Sequence, residues 1–132
     1  MKEDALVFVL FALPLGVSLG LWWFNSRAEQ RACQLLRAVL TQDQYRHLLQ
    51  RGYLDIRSPS HQERFYRVPK APGRVYLVEN EQVQTELCLQ PLDWVPDADF
   101  VVIHKLMIEA DEETYLQKAN RFVPLHASRS IG

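Results

Sequence analysis

The first strong pattern along the chain is an uninterrupted apolar run from Ala5 to Phe24. It holds about 20 residues and contains no charge, amide or histidine. A helix of that length is about 30 Å long, which matches the hydrocarbon core of a bilayer. The run therefore predicts one transmembrane helix, with two tryptophans at its headgroup end. Its anchoring side chains are Leu6, Phe8, Leu10, Phe11, Leu13, Leu15, Leu19, Trp22, Trp23 and Phe24.

A cleaved secretory signal is the competing interpretation of this run. Small residues in the stretch Ser18–Gly20 have the spacing that a signal peptidase accepts. However, the head Met1–Asp4 carries one lysine and two acids, so it lacks a positive region. The apolar run also continues past the candidate cleavage site. The sequence therefore favours a retained anchor.

Arginines that follow the run predict its orientation. One lysine precedes the span, whereas Arg27, Arg31 and Arg37 follow it closely. Basic residues near a span stay on the cytoplasmic side and contact anionic lipid headgroups. We therefore expect a single-pass protein of the inner (plasma) membrane with its N-terminus outside and its C-terminal domain in the cytoplasm.

Downstream of the span, small and apolar side chains recur at helical spacing. Residues 26–40 are rich in helix formers and predict a juxtamembrane helix. The stripe expected to face the core comprises Ala28, Ala32, Leu35 and Val39, with Leu36 and Leu40 beside it. Thr41 and Gln44 have capping-box spacing, which indicates a second helix that ends at Gly52.

From Tyr53 onward the pattern changes to short alternating segments separated by turn residues. Pro and Gly between residues 69 and 73 mark a strong turn. The segments predict an antiparallel meander of three to four strands with one face packed on helices. The predicted strands are Tyr53–Ile56, Arg64–Val68, Arg74–Val78 and Val83–Leu89.

Two helices are predicted after the strands. Residues 100–109 form the first, capped by Asp97 or Asp99, and residues 112–119 form the second, capped by Asp111. The fold class is therefore α+β. The predicted organisation is a head and span (1–25), a juxtamembrane helix (26–40), a small domain (41–124) and a flexible tail (125–132).

Four strings in this order resemble a small bacterial domain family to which no activity is assigned. They are GYLDI (52–56), LCLQP (87–91), PDAD (96–99) and HKLMIEADEETYLQKAN (104–120). The resemblance covers roughly residues 40–124. It implies the limits of the small domain and no catalytic residue.

The densest polar cluster surrounds His104, near Glu109 and the acids at 111–113. His104 lies seven residues from Asp97 and from Asp111, which is roughly one helical face. A structural metal site normally needs three or four converging ligands, and none of the usual spacings occurs. The acids are better explained by the positive end of a helix dipole. We therefore predict no metal and no cofactor, with His104 as the one candidate ligand.

No motif for nucleophilic or phosphate chemistry is present, so we predict a non-enzymatic protein. The turn that carries Ser58, His61 and Glu63 is polar, but closeness in sequence is not triad geometry. Cys33 and Cys88 are isolated and are predicted to be reduced, partly buried thiols.

Charge is distributed unevenly along the chain. Residues 27–57 hold six basic and three acidic side chains, whereas residues 79–113 hold ten acids and one lysine. An acidic outer face repels nucleic acid and anionic lipid, so a protein partner is favoured. The candidate contact residues are Trp94, Asp97, Asp99, Glu109, Asp111, Glu112 and Glu113.

These features together predict an accessory or adaptor subunit of a larger membrane complex, bound through its span and its cytoplasmic domain. Energy-transducing complexes, photosynthetic or respiratory, are one candidate host class. No small-molecule substrate is predicted. The alternative is a membrane-tethered module that senses a ligand or metal through His104 and the nearby acids.

Overall fold

A computed structural model describes residues 26–89 and 95–124. The predicted span, its anchoring side chains, Trp94 and the tail lie outside the described residues. Within those two ranges, no helix combines the length and apolar character needed to cross a membrane.

Two helices open the described region, and local capping fixes the second. Helix α1 occupies residues 26–39 and α2 spans Gln42–Arg51. The Thr41 hydroxyl accepts from the Gln44 backbone N–H at 3.2 Å, and the Gln44 side chain accepts from the Thr41 N–H at 3.1 Å. Gly52 ends α2 in the left-handed conformation, with φ of 79°. The predicted capping box and C-cap are both confirmed.

The buried stripe of α1 is narrower than predicted. Ala32, Leu36 and Leu40 are buried, and Val39 packs partly against the same core. Leu35 is 48 % exposed, so its assignment to the buried stripe was wrong. Side chains four residues apart share one helical face, and α1 buries only the face on which positions 32, 36 and 40 align.

The strands form one antiparallel sheet in the order β1-β2-β3-β4-β5. The bounds are β1 Tyr53–Arg57, β2 Arg64–Pro69, β3 Val75–Glu79, β4 Gln82–Cys88 and β5 Asn120–Phe122. The predicted meander is thus confirmed, but its number of strands was too low. The missed strand, β5, has only three residues, all exposed, and therefore lacks the alternation by which strands are recognised.

A tight turn joins β3 to β4. Asn80 and Glu81 both have positive φ, 51° and 64°. Two central residues with positive φ are typical of a type I′ hairpin turn, whose twist matches that of the strands. Asparagine adopts this conformation easily, whereas glutamate adopts it at a cost.

Helices pack on one face of the sheet and enclose a single core. Leu54 and Ile56 of β1 and Val68 of β2 point to that face and are almost completely buried. Leu48 of α2 and Ile108, from the helix that follows β4, are fully buried in the same cluster. Alternation along the strands directs the intervening side chains to the opposite face.

The last two helices are α3, Asp97–Ala110, and α4, Glu112–Lys118. Asp111 caps α4 as predicted, because its carboxylate accepts from the Thr114 N–H at 3.0 Å. The capping role predicted for Asp97 or Asp99 was wrong. Both lie inside the first turn of α3, and its N-cap position, Pro96, has no side-chain cap. Their negative charge still interacts favourably with the helix dipole.

Candidate functional site

Glu112, the first residue of α4, is a buried carboxylate at the centre of a side-chain network. Only 7 % of Glu112 is exposed to solvent. Ser58 donates to both carboxylate oxygens at 2.8 Å, and the Tyr66 hydroxyl donates at 2.5 Å. The Ser60 hydroxyl also donates to Glu112, and the Arg64 guanidinium donates at 3.4 Å. We call these five residues the Glu112 clamp, because they tie the β1–β2 loop to α4.

The loop in the clamp is also closed on itself. The Ser58 hydroxyl oxygen accepts from the backbone N–H groups of Ser60 and His61, at 3.2 and 3.0 Å. The Ser60 hydroxyl and His61 Nδ1 are 2.7 Å apart. Since Ser60 gives its single hydrogen to Glu112, His61 donates from Nδ1 and does not act as a base toward Ser60.

The ionisation of Glu112 follows from this network. Burial by itself raises the pKa of Glu112, but hydrogen bonds from Ser60, Tyr66, Ser58 and Arg64 outweigh burial and lower the pKa to about 2. The carboxylate is therefore ionised, with its acceptor positions occupied by four side chains. A group in that state is a poor proton acceptor for catalysis. The arrangement stabilises the fold, and sequence spacing gave no sign of it.

His104 lies on the core side of α3. It is 1 % exposed, its Nδ1 is 2.8 Å from the Tyr115 hydroxyl, and its ring contacts Phe100. Burial lowers the pKa of His104 to about 4, so the imidazole is neutral at physiological pH. Within residues 26–89 and 95–124, no group of three or more His, Cys, Asp or Glu side chains is placed to hold a metal ion.

The acids predicted to contact a partner have different environments. Glu109 is paired with Lys105 along α3, and Asp111 is occupied as the cap of α4. Glu112 is enclosed in the clamp, where a partner could reach it only after rearrangement. Asp97 is exposed and Asp99 is half-buried, both at the start of α3.

Glu113 is exposed next to the clamp and accepts from the Gln117 side-chain amide at 3.4 Å. Glu109, Asp111, Glu112 and Glu113 are thus neighbours in sequence, but each has a different hydrogen-bond partner. Among the arginines expected at the headgroups, Arg27 and Arg31 are exposed on α1. Arg37 is also exposed, but it donates to the Tyr45 hydroxyl at 3.0 Å and so is directed toward α2.

Both cysteines are free thiols. Cys88 is half-buried, as predicted. Cys33 is exposed on α1, so the prediction that it is partly buried was wrong. Cys33 directly follows Ala32 along α1, so its side chain points away from the buried face of that helix.

The side of the sheet opposite the helices carries one continuous row of charged and aromatic side chains. Strand register places Asp55, Arg67, Tyr76, Glu86 and Phe122 side by side across all five strands. In the part of the chain that the structure describes, the helices pack on the other side. We call these five residues the outer row.

Two arginine–carboxylate pairs flank the central tyrosine of the outer row. Arg67 binds Asp55 through two parallel hydrogen bonds, 2.9 and 3.0 Å, and its guanidinium lies 4.1 Å from the centre of the Tyr53 ring. On the other side, Arg74 pairs with Glu86 and lies 4.7 Å from the centre of the Phe122 ring. Each guanidinium is thus held by a carboxylate and by an aromatic face.

The outer row has the chemistry of a protein-binding surface. When the neighbouring Arg74 is counted, the charges of the row cancel pairwise, so it lacks the excess of positive charge that nucleic acid requires. Tyr76 is 38 % exposed and Phe122 is 41 % exposed. Tyrosine, phenylalanine and arginine are the residue types enriched in protein interfaces. This surface could not be predicted from the sequence, because the five residues come together only through strand register.

In comparisons with known proteins, no family model, curated protein or solved structure matches this chain. The resemblance of the four sequence strings to a bacterial domain family therefore stays a prediction.

Proposed function

We propose that this chain is a non-enzymatic, single-span accessory subunit that binds a larger membrane complex through its span and through the outer row of its cytoplasmic sheet. The observation that carries the proposal is the outer row itself. Arg67 in the row and Arg74 beside it are already fixed by Asp55 and Glu86, so they lose little side-chain entropy when a partner covers them. A pre-ordered surface of this kind is suited to stable assembly.

The membrane part of the proposal rests on the sequence. The apolar run at 5–24 has the length of a span, and Arg27 and Arg31 follow it on exposed positions of α1. Arginines there can contact anionic headgroups of the cytoplasmic leaflet, at about 1 kcal/mol each. They support an orientation with the N-terminus outside and the domain in the cytoplasm.

The polar groups of the domain support an adaptor more than a catalyst or sensor. Glu112 has its acceptor positions occupied within the clamp, and His104 is a neutral core residue paired with Tyr115. Catalytic and sensing groups normally keep a free position for substrate or ligand. No contact among the described residues favours the metal-sensing alternative.

The test is extraction of the tagged full-length chain from its native membrane in mild detergent, followed by identification of whatever is bound. We expect a fixed set of membrane subunits at constant stoichiometry. Phe122→Ser, at an exposed apolar position of the outer row (41 %), should release them, whereas Leu49→Ser, at an exposed apolar position of α2 (51 %), should not. Recovery of the chain alone, or equal loss in both variants, would contradict the proposal.

A further inference from the structure

The outer row has a charge order that is complementary to itself. From β1 to β5, the row begins with the acidic Asp55 and the basic Arg67, and Tyr76 lies at its centre. Beyond Tyr76 it continues with the acidic Glu86 and ends at Phe122, where the guanidinium of Arg74 supplies a basic group. Rotating the row by half a turn about the direction of β3 therefore sets opposite charges against each other.

We propose that the partner covering the outer row is a second copy of this chain, related by a two-fold axis that runs parallel to β3 between the two sheets. This inference rests on the proposed function: the second copy is the first subunit bound, and the other membrane subunits bind the dimer, so that loss of the dimer also releases them. In such a dimer Asp55 faces Arg74 of the other copy, and Arg67 lies opposite Glu86, of which 6 % is exposed in the single copy. The two Tyr76 side chains meet at the axis, where aromatic contact adds to the burial.

Other arrangements of two copies are disfavoured by the same charges. A two-fold axis running across the strands would set Asp55 against Asp55 and Arg67 against Arg67, and like charges in contact weaken association. An axis parallel to β3 also keeps the strands of the two sheets nearly aligned. Aligned packing at about 10 Å separation is the ordinary arrangement of two stacked sheets.

The dimensions of the face predict how tightly the copies bind. Five strands at about 4.8 Å spacing give a width of about 19 Å. A face of this size is at the small end of specific interfaces, so we expect a reversible dimer rather than a permanent one. Membrane tethering would favour the dimer further, because it raises the effective concentration of the partner.

Two charge-swap variants test the proposal with the full chain in mild detergent. The first swap combines Asp55→Arg with Arg67→Asp, and the second combines Arg74→Glu with Glu86→Arg. Each keeps an ion pair within its own copy but sets like charges against each other across the axis. Sedimentation should show wild type as a dimer and each swap alone as a monomer. An equimolar mixture of the two swaps should dimerise again, since their charge orders are complementary.

A cross-linking measurement keeps the test decisive if the second swap does not fold. With Cys33 and Cys88 replaced by serine, Tyr76→Cys should be joined to its copy by a bismaleimide that spans about 10 Å. Leu49→Cys should not be joined, and the first swap should abolish the product. A monomeric wild type, or a dimer that survives the first swap, would overturn the proposal.

The same preparations separate this inference from the proposed function. A native complex that contains one copy of the chain would overturn the dimer and leave the accessory role intact. A dimer that is recovered without any other membrane subunit would support the dimer and contradict the accessory role.

Discussion

Replacement of Glu112 by glutamine should remove the main polar tie between the β1–β2 loop and α4. Glutamine keeps the size of the side chain, but it has one acceptor oxygen and an amide that donates. Four donors, from Ser58, Ser60, Arg64 and Tyr66, would then compete for a single neutral acceptor.

The size of the effect follows from the ionisation of Glu112. Its pKa falls from 4.5 to about 2 on folding, and one pKa unit corresponds to about 1.4 kcal/mol. The ionised carboxylate thus contributes on the order of 3 kcal/mol to the free energy of unfolding at neutral pH. Because the folded pKa is the lower one, this contribution is complete above pH 4.5 and is lost as the pH falls from 4.5 to about 2.

Urea unfolding of wild type and Glu112→Gln, as full chains in mild detergent between pH 7 and pH 2, measures this contribution. We expect a difference of about 3 kcal/mol at pH 7 that shrinks toward zero near pH 2. Glu113→Gln, at the exposed neighbouring carboxylate, is the matched control and should change stability by less than about 0.5 kcal/mol. A difference that is the same at every pH would refute the reasoning, because it would not come from the charge.

Three further predictions concern single positions. Burial lowers the pKa of His104 from 6.5 to about 4, so wild type should lose stability as the pH falls from 6.5 to 4. In the same urea series His104→Gln should lose less over that interval, and mainly below pH 4.5, where the contribution of Glu112 begins to fall. Glu81→Gly should raise the urea midpoint by the equivalent of about 0.5–1 kcal/mol, because glycine adopts positive φ without strain; a lower midpoint would contradict this. Gly52→Ala should cost about 1 kcal/mol in thermal unfolding, through backbone strain alone, since the space around its Cβ is open; an unchanged melting temperature would count against it.

Features fixed by neighbours in sequence were predictable. The capping box at Thr41, the C-cap at Gly52 and the cap at Asp111 each depend on residues within a few positions, and all three are confirmed. The order of helices and strands also followed from periodicity. These elements depend on local hydrogen bonds and on which side chains alternate.

Features fixed by distant contacts were not predictable. Glu112 meets Ser58 and Tyr66 across 54 and 46 residues, and nothing in the spacing of an acidic helix start indicates those partners. The outer row needs the register of four strand pairs, including β5, whose three residues give no periodic signal. Long-range pairing of this kind depends on packing of the whole domain, and a residue pattern contains little information about it.

Site-specific photo-cross-linking in living cells tests whether the outer row is the surface through which this chain assembles. A photoreactive phenylalanine analogue would replace Tyr76 in one strain and Leu49 in another, both partly exposed in the isolated chain. We expect discrete adducts from position 76, including one of twice the chain mass, and none from position 49. Absence of adducts at 76, or the same adducts at both positions, would contradict an assembly role for this face.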